Sequence, residues 1–69
     1  MEQFSEKIKQ LRIERGLSQY EVARKLGLAR TAIGNYEQGI REPSLNVLKK
    51  LCDFFDVSAD YLLGRTENY

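Results

Sequence analysis

Residues 17–39 read LSQYEVARKLGLARTAIGNYEQG, and this stretch decides the fold. It opens on the strongest helix-start signal in the chain. Ser18 stands where a side-chain oxygen can accept from the first free amides, and Glu21 follows three residues later, the pattern of a capping box. Leu17 before the cap and Val22 at the fourth helical position suit a hydrophobic staple. The helix so begun runs to about Leu26, with Gly27 as its stop. A second short helix is expected from about Arg30 to Gln38, ended by Gly39. Only Gly27, Leu28 and Ala29 separate the two.

So short a connection forces two helices to cross steeply rather than run antiparallel, which makes residues 19–38 a helix-turn-helix. The crossing needs a small residue at the contact, and Ala23 supplies it. The turn needs a residue tolerant of positive φ, and Gly27 supplies that. Val22, Leu26, Leu28, Ile33 and Tyr36 supply the apolar seam.

Gly34 fits less well, because a glycine inside a helix costs about 1 kcal/mol relative to alanine. On a helical wheel it falls on the outer stripe with Thr31, Asn35 and Gln38, flanked by Arg30. There a missing side chain either lets the backbone approach a partner closely or leaves a gap where nothing is read. The stripe is polar and free of acids, whereas ordinary solvated faces favour Glu/Lys pairs. Arginine pairs bidentately with guanine, asparagine or glutamine with adenine, and the threonine methyl touches thymine. Arg30, Thr31, Gly34 and Asn35 are therefore the candidate base-contacting residues of a helix suited to the major groove. Gln19, first in its helix, can donate to a phosphate from its backbone and side chain. Gln38, the Gly39 amide and Arg41 lie beside the same face as further candidate phosphate contacts.

The remaining helices flank this unit. Phe4, Ile8 and Leu11 form one stripe on a first helix from about Glu2 to Arg15, closed by Gly16. Pro43 and Ser44 announce a fourth helix from Leu45 to Phe55. Its apolar positions Val47, Leu48, Leu51, Cys52, Phe54 and Phe55 suggest the centre of a bundle. Ser58 caps a short fifth helix, Ala59 to Leu63, with Asp60 in its first turn. Gly64 closes it, and residues 64–69 read as a polar tail. No alternating strand pattern occurs, so a compact, all-α, five-helix domain is expected.

Composition narrows the function. The chain's 69 residues allow one domain. Cys52 is the single cysteine and there is no histidine, which excludes a disulfide, a histidine-based zinc site and a histidine triad. Nothing recommends an enzyme, a cofactor or a metal. Cys52 lies on an apolar face and reads as packing rather than as a redox sensor. No apolar run approaches the ~20 residues of a membrane span, and the N-terminus lacks a signal-peptide core. A soluble cytoplasmic protein is expected.

The net charge of +1 is far from strongly basic, but the charges are unevenly placed. Residues 7–50 carry ten Lys/Arg against four acids, a sum of +6, whereas residues 51–69 sum to −3. A basic body with an acidic C-terminal part suits an anionic partner on one face and a different partner on another.

The chain resembles the Cro/Xre-type helix-turn-helix family, which includes phage lambda-type repressors. The resemblance rests on LSQ at 17–19, Ala23 and Gly27, YEQG at 36–39, PS at 43–44 and VSADYLL at 57–63, and it covers residues 8–63. It implies a lambda repressor-like DNA-binding domain, a sequence-specific regulator of transcription and most often a repressor. It also implies base contacts from Arg30, Thr31, Gly34 and Asn35, and backbone contacts from Gln19, Gln38 and the loop to Arg41. Arg12 and Glu37 match a pair that ties the first helix to the third. Two departures stand out: Gly34 has no side chain where many relatives have one, and Ile40 is apolar where a basic residue is common.

One recognition helix reaches only about three or four side chains to base edges. At ~1–3 kcal/mol per good contact, that falls short of the ~4–10 kcal/mol separating specific from non-specific binding. A homodimer on a palindromic operator is therefore expected, with Phe54, Tyr61, Leu62 and Leu63 as its candidate interface. A protein-interaction module on the same scaffold, such as an antitoxin or anti-repressor partner, is the alternative. The near-neutral net charge is its support.

Overall fold

The computed structural model describes residues 2–69. Five helices follow one another: α1 (Glu2–Glu14), α2 (Gln19–Leu26), α3 (Ala32–Glu37), α4 (Leu45–Phe55) and α5 (Ala59–Leu62). No strand occurs among the described residues.

Three serines start three of these helices by the same device. The Ser18 hydroxyl accepts from the Glu21 amide at 3.0 Å, while Glu21 Oε1 accepts from the Ser18 amide at 2.8 Å, so the capping box is complete. Ser44 accepts from the Val47 amide at 3.2 Å, and Ser58 from the Tyr61 amide at 3.0 Å. Each bond satisfies a donor that the helix itself cannot.

One core joins all five helices. Phe4, Ile8 and Leu11 enter it from α1, Val22 and Ala23 from α2, Ile33 and Tyr36 from α3, Leu48, Leu51 and Phe55 from α4, and Leu62 from α5. Burial of these side chains is the main stabilising contribution. Phe4 is as deeply buried as Ile8, so the packed unit extends N-terminal of residue 8. α4 is less central than its sequence suggests: Val47, Cys52 and Phe54 are only half-buried at the edge of the core.

α3 is shorter than expected and starts later. The Ala32 amide donates to the Ala29 carbonyl at 3.0 Å, closing a tight turn over Arg30 and Thr31 before the helix begins. Thr31 takes the N-cap position without a side-chain cap bond, and Arg30 lies outside the helix.

The C-terminal segment lies against α5. The Arg65 amide donates to the Asp60 carbonyl at 2.8 Å, and the Ser58 amide to the Tyr69 carbonyl at 2.6 Å. The Tyr69 ring meets that of Tyr61 edge-on at 4.8 Å. In α5 itself, Leu62 is fully buried while the adjacent Leu63 is 38% exposed. Consecutive helical residues point about 100° apart, so a single turn packed on a core buries one of the two and not the other. This corrects the expectation that Leu62 faces a partner.

Candidate nucleic-acid interface

The packing of α2 against α3 creates the site. Ala23 has no exposed surface and belongs to the core beneath the two helices. Gly27 turns the chain at φ +69°, and the Leu28 amide reaches back to the Ala23 carbonyl at 2.8 Å. Val22 and Ile33 are buried, and Leu26 and Leu28 pack at the core's edge.

The outer surface of this crossing is a concavity of about 380 Å³ lined by Gln19, Tyr20, Arg30, Thr31, Gly34, Asn35 and Gln38. All but Tyr20 are candidates that the sequence pattern itself offers. Two helices and the turn between them bring them together.

Gly34 has a different role from the one its place on the wheel suggests. It is buried, and what covers it is the side chain of Gln19 from the neighbouring helix. A Cβ on Gly34 would stand 3.0 Å from Gln19 Oε1. The glycine admits a second helix's side chain rather than lying open for a partner to approach. A wheel shows where a residue points from its own axis but not what crosses above it.

Gln19 is held there by a polar chain through three helices. Arg12 Nε donates to Glu37 Oε2 at 2.6 Å and Arg12 Nη2 to Glu37 Oε1 at 2.9 Å, a bidentate ion pair. Arg12 Nη1 also donates to the Leu17 carbonyl at 2.9 Å. Gln19 Nε2 donates to the same Glu37 Oε1 at 3.1 Å. The side chains of Arg12 and Glu37 are 13% and 3% exposed, so this carboxylate is spent inside the protein. The hydrogen bond to Glu37 holds the Arg12 guanidinium above its ordinary pKa, against a smaller opposing effect of burial. α1 thereby fixes where a side chain of α2 sits on α3.

Beyond α3 the loop is less available than expected. The Gly39 amide donates to the Tyr36 carbonyl at 3.2 Å, and the Ile40 and Arg41 amides both donate to the Asn35 carbonyl, at 3.0 and 3.4 Å. These amides satisfy the last carbonyls of α3, which corrects the expectation that the Gly39 amide is free for a phosphate. The side chains of Gln38 and Arg41 remain exposed. Ile40 is 66% exposed.

Two contributors carried no signal in their spacing. Tyr20, half exposed, places its ring 4.9 Å from the Arg30 guanidinium. An exposed aromatic beside the N-cap of α2 was the available hint. Ser5 is buried in α1 and donates from its hydroxyl to the Tyr36 carbonyl at 2.6 Å, bracing the end of α3. A lone serine on a polar-looking stretch announces no such partner.

Of the other candidate interface residues, Phe54 and Tyr61 are each only partly open to solvent. Phe54 is half-buried, edge-on to Phe55 at 4.9 Å. Tyr61 lies between Tyr69 and Lys7, whose Nζ is 4.5 Å from the ring. A separate groove of about 400 Å³ runs between α4 and α5 past Leu48, Cys52 and Val57. Burial, and then the charge of Asp53, push the Cys52 thiol up in pKa, away from a reactive thiolate. Among the described residues no His/Cys/Asp/Glu group could hold a metal ion, and no helix is long and apolar enough to cross a membrane.

Known proteins share this architecture. The helix-turn-helix family description matches residues 8–62. The transcriptional regulator ImmR of Bacillus subtilis is 39% identical over 61 residues, which are 88% of this chain and 48% of ImmR. The cryptic phage CTXphi transcriptional repressor RstR of Vibrio cholerae is 39% identical over 64 residues, 93% of this chain and 58% of RstR. The chain thus spans about half the length of these curated relatives. Among solved structures, the N-terminal DNA-binding domain of SinR from Bacillus subtilis superposes with a TM-score of 0.82 at 34% identity, covering 91% of this chain and 93% of that domain. With the capped α2, the tight turn at Gly27 and the lambda repressor-like five-helix arrangement already in place, the chain belongs to the helix-turn-helix family of transcriptional regulators, of the Cro/Xre type.

Proposed function

We propose that the protein is a sequence-specific, double-stranded DNA-binding repressor of the cytoplasm that reads a palindromic operator as a homodimer. α3 and the turn before it enter the major groove. Arg30, Thr31 and Asn35 meet base edges, Gln19 lies at the junction of base and backbone, and Gln38 and Arg41 hold phosphates. The observation that carries this reading is the cleft at the α2–α3 crossing, where six polar or small residues predicted from the sequence share one concave surface. Glu37, which accepts from the cleft residue Gln19, is paired with Arg12, and this offsets a charge that would otherwise repel a phosphate backbone.

Dimerisation would double the readout and place half-sites about 34 Å apart. Its surface is the C-terminal part, with Leu63 as the exposed apolar anchor and Tyr61 and Phe54 contributing their open edges. The near-neutral charge favours one rival, a protein-interaction module on the same scaffold. Selection of bound sequences from a random double-stranded DNA pool separates the two. The expected result is an inverted repeat with half-sites one helical turn apart. Enrichment of no sequence, with passage through a heparin column at low salt, overturns the DNA reading.

A further inference from the structure

Arg30 is the strongest hydrogen-bond donor on the cleft, yet it is not on a helix. It sits in the turn before α3, a side chain with several rotatable bonds on irregular backbone. Left alone, such a side chain would samplemany rotamers, and each would have to be given up on meeting a base. In the structure the guanidinium instead lies 4.9 Å from the centre of the Tyr20 ring. No carboxylate is paired with it among the described residues.

The two partners differ in what holds them. Tyr20 is the second residue of α2, whose start is clamped by the Ser18–Glu21 capping box and whose next residues in the core, Val22 and Ala23, are fully buried. The ring therefore stands on a rigid support, and the arginine does not. A ring face attracts the cation without accepting from it as a carboxylate would, so it leaves N–H groups of the guanidinium available to donate. Those N–H groups are the ones that pair bidentately with guanine O6 and N7. An ion pair with a carboxylate would have consumed them.

Resting on the DNA-reading assignment above, we propose that Tyr20 is a positioning residue for sequence recognition. Its ring holds the Arg30 guanidinium at the mouth of the cleft and so sets how strongly the chain discriminates the guanine that Arg30 meets. Tyr20 acts through Arg30; its own hydroxyl has no part in this.

The test uses the wild type and the variants Tyr20→Ala, Tyr20→Phe, Arg30→Ala and Tyr20→Ala/Arg30→Ala. Each is put through selection from a random double-stranded DNA pool, and the base preference at every position is compared. In the absence of DNA, NMR reads the ring-current shift on the Arg30 side-chain protons. Arg30→Ala should flatten the preference at one base pair of each half-site by about tenfold or more. Tyr20→Ala should weaken the preference at that same base pair by about two- to fivefold, the scale of an exposed cation–π contact. Tyr20→Phe should keep the preference, and the double variant should match Arg30→Ala. The upfield shift of the Arg30 protons should vanish in Tyr20→Ala and persist in Tyr20→Phe. The proposal is overturned if Tyr20→Ala leaves the Arg30-dependent position unchanged, alters a different position, or weakens all sequences alike. It is also overturned if the Arg30 protons show no ring-current shift in the wild type. A wild type that selects no sequence while showing that shift removes the DNA reading itself, and this proposal with it, although the stacked pair stands.

Discussion

Gln19 Oε1 sits 3.0 Å from the point where a Cβ would stand on Gly34, and Gln19 Nε2 donates to Glu37 at 3.1 Å. The glycine and the glutamine are thus a matched pair across two helices. Gly34→Ala should gain up to about 1 kcal/mol of helix propensity, less the cost of pushing Gln19 aside. In a Gln19→Ala background the same substitution should yield the full gain. Urea unfolding of the two single variants and the double variant measures the difference. Equal increments in both backgrounds would show that Gln19 does not restrain the site.

The Arg12–Glu37 pair is nearly closed to solvent, with side chains 13% and 3% exposed. Removing one member leaves the other charged and uncompensated. Arg12→Ala should therefore cost about 3–5 kcal/mol, a large share of a small domain's stability. The double variant Arg12→Ala/Glu37→Ala should be less destabilised than the two single losses combined. Additive losses in chemical denaturation would mean that the two residues act independently.

The Glu21 carboxylate lies below the usual glutamate range, first because the Ser18 amide donates to it and then through the Ser18 side chain. A depressed native pKa contributes stability that is present above the unfolded-state pKa. That stability is lost as pH falls through the native value. The stability difference between the wild type and Glu21→Gln should accordingly be constant near neutral pH and shrink as pH drops below about 4. Other carboxylates titrate in both proteins and cancel in the difference. A pH-independent difference would remove the capping-box charge as its cause.

Leu62 and Leu63 separate packing from association. Leu62→Ala should cost about 2–5 kcal/mol in thermal or urea unfolding, as for other large-to-small core changes. Leu63→Ala should change monomer stability by less than about 1 kcal/mol and weaken self-association in sedimentation experiments with operator DNA present. If Leu63→Ala sediments as the wild type does, the partner surface lies elsewhere on the C-terminal part.

Asn35 and Arg41 should behave differently on DNA. Asn35→Ala should lose discrimination at a particular base pair by about 1–3 kcal/mol. Arg41→Ala should weaken binding to all sequences alike and reduce the salt slope by about one unit. Titrations against specific and scrambled duplexes at several salt concentrations distinguish the two patterns. If Arg41→Ala changed sequence preference instead, its assignment to the phosphates would fail.

Much of the architecture was legible because its signals are local. Ser18, Ser44 and Ser58 each cap the helix that follows, and the box with Glu21 closes as its spacing implies. Gly27 takes the left-handed conformation the turn requires. The seam of Val22, Ile33 and Tyr36 is buried as its period demands. The start of α3 was less legible, because the tight turn at Arg30 and Thr31 mimics a first helical turn in its residue pattern. The partner of the Gly39 amide is illegible for a related reason: the spacing does not say which carbonyl a loop amide will fold back upon.

Sequence alone determined where helices start, where they stop and which stripe of each is apolar, since caps, positive-φ positions and periodicity act over a few residues. Tertiary structure alone decided that Gln19 roofs Gly34, that Arg30 leans on Tyr20, and that Leu62 rather than Leu63 enters the core. Each of these is a contact or a choice set by how one element crosses another. The crossing depends on the packing of the whole core at once, which no short stretch of residues encodes by itself.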